Sequence, residues 1–305
     1  MKAHARVVVI GGGVVGASVL YHLAKMGWSD VALLERRDLT AGSTWHAAGG
    51  FHAINSDPNV SRLQSYTIRL YREIQELSGQ DVGLHMTGGI SLAGTMDRLE
   101  WLKAEWAKHR IMGLSSELVT PEEIKKLCPI VDVKGVVGGL YDPNEGHVDT
   151  YGVTHAYVKA ARLKGAEVCT QTRVVELNRR NDGHWDVVTD QGKVVAEHVV
   201  NAAGLWASRV GRMVGISLPV VPMEHTYIVS DVVPEIEALK KELPLMVDLE
   251  GFTYLRQERN MALLGIYERN PKHWSVDGVD WDFGTDLLPP DLERISDELM
   301  LGFQR

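Results

Sequence analysis

Two uninterrupted apolar runs, Val7-Val8-Val9-Ile10 and Val31-Ala32-Leu33-Leu34, interrupt a chain that elsewhere alternates apolar and polar positions. A strand without a polar face is one buried on both sides, as in a parallel sheet covered by helices. Between the runs lie the turn Gly11-Gly12-Gly13-Val14-Val15-Gly16 and a helical stretch through Tyr21, Leu23 and Met26, with Gly27 placed to end it. Strand, glycine-rich turn, helix and strand make one βαβ unit. Leu63, Tyr66, Leu70, Ile74 and Leu77 recur at steps of three and four, predicting a helix over 57–78. Leu99, Leu102 and Trp106 predict a second helix from about Met96 to His109. Thr120-Pro121-Glu122-Glu123 reads as a capping box with proline at the first helical position. Asp149 caps a further helix to about Lys164, closed by Gly165.

Strand patterns follow from Ala166 to Thr170 and on to Ala203, with Asn181-Asp182-Gly183 as a hairpin turn and Val194 to Ala203 as a core strand. Beyond Leu218 only Thr226–Val229 and Thr253–Gln257 read as strands, and Asp291 opens an amphipathic helix with no stop signal before Arg305. No internal repeat, low-complexity tract or flexible linker breaks the pattern.

Composition narrows the classes of function. A chain of 305 residues, 45% apolar and 24% charged, has the makings of a large core and excludes disorder. Lys and Arg number 32 against 40 Asp and Glu, a net charge of −8 without a basic block, which argues against nucleic acid and anionic membrane as partners. No apolar run is long enough to span a bilayer. Cys128 and Cys169 form no framework, no His, Cys, Asp or Glu group has metal-ligand spacing, and no GxSxG occurs, so neither a metal site nor a hydrolase is expected. The first residues lead directly into a strand with no signal peptide, and a cytoplasmic location is the expectation.

Gly11, Gly13 and Gly16 gain meaning from their context, since a buried strand precedes them, a helix follows and Glu35 closes the next strand. Gly11 permits the tight turn, Gly13 the approach of backbone to a pyrophosphate, and Gly16 the packing of helix on strand. The helix start at Val14 and Val15 presents its N–H groups and positive dipole end to phosphate, and Glu35 is suited to the ribose hydroxyls. A carboxylate there repels a 2′-phosphate, although Arg36 and Arg37 weaken that argument. Up to this point NAD and FAD remain equally open.

The next segment, Thr40-Ala41-Gly42-Ser43-Thr44-Trp45-His46-Ala47-Ala48-Gly49-Gly50, is small, hydroxyl-rich and able to pass close to a flat ring or phosphate. His46 within it reads either as a cofactor ligand or as a satisfied core histidine. Together with Glu35-Arg36-Arg37, this segment resembles the flavoprotein family of dimethylglycine and sarcosine dehydrogenases, within the D-amino-acid-oxidase-like group. The loop Gly139 to Asp149, the segment Val200 to Ala207, Pro222 to Tyr227 and Tyr254 to Glu258 are similar to the same family.

The resemblance implies an α/β fold with a Rossmann-like FAD-binding domain (1–90 and 140–219) and a mixed-sheet-plus-helix substrate domain (91–139 and 220–290), residues 291–305 opening a C-terminal segment cut short. It implies FAD rather than NAD, covalently carried on His46. Gly42, Ser43, Thr44, Ala48, Gly49, Val174, Ala202, Ala203, Gly204 and Trp206 are implied as further FAD contacts, with Val174 reaching adenine through main chain. Members of the family continue past the present end, with a returning segment near the flavin and often a folate-binding module.

For chemistry, the resemblance assigns His225 and Tyr254 to the substrate, residue types suited to proton transfer and hydrogen bonding. Arg256 shares a strand face with Tyr254 and would either meet a substrate carboxylate or pair with Glu258. His52 would reach the flavin edge or serve its loop. The expected reaction is oxidation of an N-methylated glycine-like amine such as dimethylglycine or sarcosine, with oxygen or an electron-transfer flavoprotein as acceptor. The alternatives are a glycine- or D-amino-acid-oxidase-like enzyme and an inactive, truncated FAD-binding fragment.

Overall fold

The computed structural model describes all 305 residues. In chain order the first elements are β1 (His4–Ile10), α1 (Val14–Lys25), β2 (Val31–Leu34), α2 (Ser43–His46), β3 (Gly50–Phe51), α3 (Pro58–Ser78), β4 (Gly89–Ala93), α4 (Met96–Ile111), β5 (Glu117–Val119) and α5 (Pro121–Leu127). The middle of the chain adds β6 (Gly138–Asp142), β7 (Gly146–His147), α6 (Thr150–Arg162), β8 (Glu167–Cys169), β9 (Val174–Arg179), β10 (Trp185–Thr189), β11 (Gly192–Asn201) and α7 (Ala207–Arg212). Then come β12 (Tyr227–Val232), α8 (Pro234–Glu237), β13 (Leu245–Asp248), β14 (Thr253–Glu258), β15 (Met261–Ile266) and α9 (Ser296–Gln304).

Two main sheets result. The six-stranded sheet has the order β8-β2-β1-β11-β10-β9, parallel from β8 to β11 and antiparallel beyond. In β1, Val7 and Val9 join the core formed with α1, α3 and α6, while Val8 and Ile10 join the core on the opposite face with Val187, Val194 and Val210. Both faces are dry along Val7-Val8-Val9-Ile10, which is why that run carries no polar residue. The seven-stranded sheet has the order β12-β15-β14-β13-β4-β6-β5, all antiparallel except β13 with β4.

Local signals placed the helices well. Thr120 and Glu123 form the reciprocal capping box, and Asp57 and Asp149 cap α3 and α6. The strands of the second sheet correct the sequence reading in two respects. Gly138–Asp142, expected within a loop of the first domain from 140, is β6, paired with β4. Its glycines hide the strand, yet a Cβ on Gly139 would stand 2.8 Å from the Ser91 carbonyl oxygen, so the close crossing requires the bare residue. β4 and β13 carry no local signal strong enough to have been read, and β15, an apolar run, was left out of the strand reading. Likewise α9 begins at Ser296 rather than Asp291, residues 292–295 forming turns before it.

Asp149 joins the two sheets' elements to function, because it follows β7 and starts α6. Its carboxylate accepts from the Tyr151 and Gly152 N–H groups, both at 3.0 Å. Asp149→Ala is expected to cost about 1 kcal/mol and lower the melting temperature by ~2–4 °C in a thermal scan, with the fold retained.

Candidate active site

The first βαβ unit builds a cavity at the carboxyl end of the parallel strands. Gly11 has φ +117°, and a Cβ there would lie 2.3 Å from the Ala202 carbonyl oxygen at the end of β11. A Cβ on Gly16 would lie 1.9 Å from the Gly11 oxygen, so α1 presses directly on the turn. Gly13 caps α1 without a side-chain bond, no acidic residue occupies the first turn, and the Val14 N–H donates to Thr44 Oγ1 at 3.0 Å. This end of the helix is therefore open to an anion. Glu35 accepts from the Gly12 N–H at 2.6 Å and the Arg37 N–H at 2.8 Å, which pins its carboxylate across the turn.

The cavity holds 470 Å³. Among the residues expected at the cofactor, Gly11, Gly13, Val14, Val15, Glu35, Arg36, Gly42, Ser43, Thr44, Val174, Ala202, Ala203, Gly204 and Trp206 line it. Four others do not stand on its wall. Gly16 packs α1 against the turn. Gly49 has φ +76° and a Cβ there would meet the Val148 oxygen at 2.2 Å, so it, with its neighbour Ala48, serves the crossing into β3 and β7. His46, on α2, has Nδ1 3.2 Å from the Gly42 oxygen and Nε2 3.0 Å from the Asp286 oxygen.

One wall escaped the sequence reading. Arg36 lies 3.8 Å over the Trp206 ring and donates to the Trp281 and Phe283 carbonyls at 2.7 and 2.5 Å. Trp206 Nε1 donates to the Asp280 carbonyl at 2.9 Å. The Arg36 guanidinium is thus spent on tying residues 280–283 over the cavity, where Trp281 completes the lining. No motif around Trp281 announces this.

On the seven-stranded sheet, Tyr227 and Tyr254 both register with Gly265 between them. The Tyr254 ring occupies the space a Gly265 side chain would fill, since a Cβ there would be 1.9 Å from its Cζ. Tyr267 stacks obliquely on Tyr254 at 5.4 Å and lies 6.4 Å from the His225 ring. Burial, then the neighbouring phenols Tyr267 and Tyr227, push the Tyr254 hydroxyl up to about 12. It is a hydrogen-bond donor, not a base, at neutral pH. His225 Nδ1 bonds Glu268 Oε2 at 2.6 Å. Tyr267 and Glu268 were missed. The legible signal was the apolar run Met261–Ile266 after Arg259-Asn260, which as a hairpin carries Tyr267 and Glu268 to the sheet edge beside His225.

Arg256 does not join this group. Its Nη2 donates to Glu258 Oε2 at 2.7 Å, as the alternative reading had it, and its Nη1 lies 3.4 Å from His147 Nδ1. His52 bonds the Ile54 carbonyl at 2.8 Å from an exposed position, the loop reading.

His85, His147 and Glu242, distant in sequence, place ligand-type atoms within 4.8 Å of one another. The rings stack at 4.6 Å, and Glu242 bonds both, at 2.8 Å each. Burial holds the His147 imidazole below its ordinary pKa. A metal on Nε2 of a neutral His147 would demand a proton on Nδ1, facing Arg256, which can only donate. The cluster closes instead as a hydrogen-bond network with both rings donating to Glu242.

A glycine-turn nucleotide cavity on a Rossmann-like sheet, beside a second mixed sheet bearing His and Tyr, defines a dinucleotide-dependent oxidoreductase. The chain belongs to the FAD dependent oxidoreductase family, which it matches over residues 6–300. It is 44% identical over 303 residues to mitochondrial dimethylglycine dehydrogenase of Mus musculus, covering 98% of this chain and 35% of that protein. It is 35% identical to mitochondrial sarcosine dehydrogenase of Homo sapiens over 310 residues, covering 97% of this chain and 33% of that protein. The chain therefore spans about a third of the length of these relatives. The L-proline dehydrogenase of P. horikoshii shares the fold, with a TM-score of 0.83 at 24% identity over 98% of this chain and 77% of that one. No helix is long and apolar enough to cross a membrane.

Proposed function

We propose that this chain is the flavin-binding, amine-oxidising part of an N-methyl amino acid dehydrogenase or oxidase, acting on dimethylglycine or a near relative. The observation that carries the reading is the pairing of an open glycine cradle fit for a pyrophosphate with a His225–Tyr254–Tyr267–Glu268 group on the adjoining sheet. The relatives named for dimethylglycine and sarcosine support the substrate class. FAD, held by the glycine turn and the cavity lining, would supply the two-electron oxidant for the carbon beside nitrogen. The chain's own residues do the rest. The amine must be neutral to lose hydride, and His225 takes the ammonium proton. Tyr254, protonated throughout the neutral range, donates to the substrate and orients it. The resulting iminium adds water and releases the methyl group as formaldehyde. His46 carries the cofactor covalently, and either oxygen or an electron-transfer flavoprotein removes the electrons.

Anaerobic mixing with dimethylglycine, sarcosine or glycine tests this. Rapid bleaching of the flavin by the N-methyl amines, with one formaldehyde per flavin reduced, is expected. Reduction by glycine alone would move the protein to the glycine-oxidase type. Bound flavin that no amine reduces would leave the FAD-binding fragment as the better description.

A further inference from the structure

His225 and Glu268 differ sharply in environment. The His225 side chain is 50% exposed, whereas that of Glu268 is 5% exposed. Glu268 Oε2 lies 2.6 Å from His225 Nδ1, and Glu268 Oε1 accepts the Thr226 N–H at 2.8 Å. The carboxylate is thus held at both oxygens by consecutive residues. The backbone around it is pinned as well, with the Ile266 N–H donating to the Thr226 carbonyl at 3.2 Å and the Tyr267 N–H to the Phe252 carbonyl at 2.7 Å.

A carboxylate only accepts, so the ring nitrogen it meets must carry the hydrogen. In neutral His225 the proton then sits on Nδ1, and Nε2 keeps its lone pair on the exposed edge of the ring. A histidine without such a partner divides itself between two tautomers, and one of them has no base at Nε2.

We infer that Glu268 is the positioning residue of His225: it fixes the Nδ1–H tautomer and the ring's orientation, so that Nε2 is the atom that receives the amine proton. This rests on the amine-oxidising role given to His225 above. Glu268 does not itself touch the substrate. Its neighbour Tyr267 places an aromatic face beside both His225 and Tyr254, so the base and the donor share one wall.

The test is Glu268→Gln, which keeps the size but can offer an amide N–H to Nδ1 and so permit the opposite tautomer. In 15N-labelled protein, assigned by the signals lost in His225→Gln, the ring nitrogens of His225 are expected to report Nδ1–H in the wild type and a majority of Nε2–H in Glu268→Gln. In flavin-loaded protein, kcat should fall about a hundredfold or more while KM stays within about threefold, as for other carboxylates that orient a catalytic imidazole. Glu268→Asp, which retains the carboxylate, should return the Nδ1–H signal and much of the rate. A wild-type ring protonated at Nε2, or a Glu268→Gln protein with unchanged tautomer and rate, overturns the inference. If the wild type oxidises no N-methyl amine, the functional reading above fails by itself, and the ring signals still decide what Glu268 does. If Glu268→Gln does not fold, the tautomers of wild type and Glu268→Asp decide it.

Discussion

His46→Ala is expected to abolish covalent flavin. Acid-precipitated wild-type protein should give a yellow pellet whose band fluoresces in a denaturing gel, whereas the variant's colour should pass wholly into the supernatant. The geometry makes His46 a reasonable point of attachment although its ring is off the cavity wall. Its neighbours on both sides, Gly42 to Thr44 and Ala47, line the cavity. Its two ring nitrogens face two carbonyl oxygens, of Gly42 at 3.2 Å and of Asp286 at 3.0 Å. A neutral imidazole has one N–H and can satisfy only one of them. The other nitrogen directs a lone pair at a carbonyl oxygen, a contact with nothing to hold it. That nitrogen is the one free to form a bond once the ring turns. Colour that leaves the wild-type pellet would remove the covalent claim and bring the protein closer to enzymes that hold FAD without a bond.

The contrast between what was legible and what was not follows the range of the interactions. The Gly11–Gly13–Gly16 turn, the Thr120 capping box and the Asp149 cap are settled within a few residues, so sequence spacing was enough to place them. The nucleotide cavity followed because its floor is one βαβ unit. Its roof did not, because Arg36 reaches Trp281 and Phe283 across most of the chain. The second sheet was harder for the same reason. Leu245 of β13 pairs with Gly89 of β4, and no local pattern records that partnership. Tyr254 and His225 were proposed through family resemblance. The residues the structure brings beside them, Tyr267 and Glu268, depend on the β14–β15 hairpin, which the strand reading omitted. For Arg256 strand periodicity left two partners open, a substrate carboxylate or Glu258, and Glu258 two residues on takes its charge.

Glu145→Gln is expected to stabilise the protein increasingly as pH rises from about 4.5 to about 8, and then to a constant extent. Glu145 lies in the turn between β6 and β7, buried, with its Oε2 in the space that a side chain at Gly89 would need, since a Cβ there would be 1.7 Å away. Burial first, and then the charge of Asp142, raise its carboxyl from 4.5 to about 8, and no cation offsets them. At neutral pH the folded protein therefore holds this proton and the unfolded chain has released it. Proton binding by the folded state alone makes stability fall with rising pH. The favourable contribution is complete below about 4.5 and is lost as pH climbs through about 8. At pH 7 the difference is on the order of 3 kcal/mol, and glutamine, which has no proton to lose, is free of it. Denaturant unfolding of both proteins from pH 5 to 9 measures it, and parallel curves would mean that Glu145 is ionised in place. The burial also has a consequence for the site. Tyr267, whose hydroxyl is raised by its own burial and then by Glu145, is also the ring that neighbours His225 and Tyr254. A proton kept on Glu145 spares Tyr267 a second negative charge beside the Glu268 carboxylate bonded to His225.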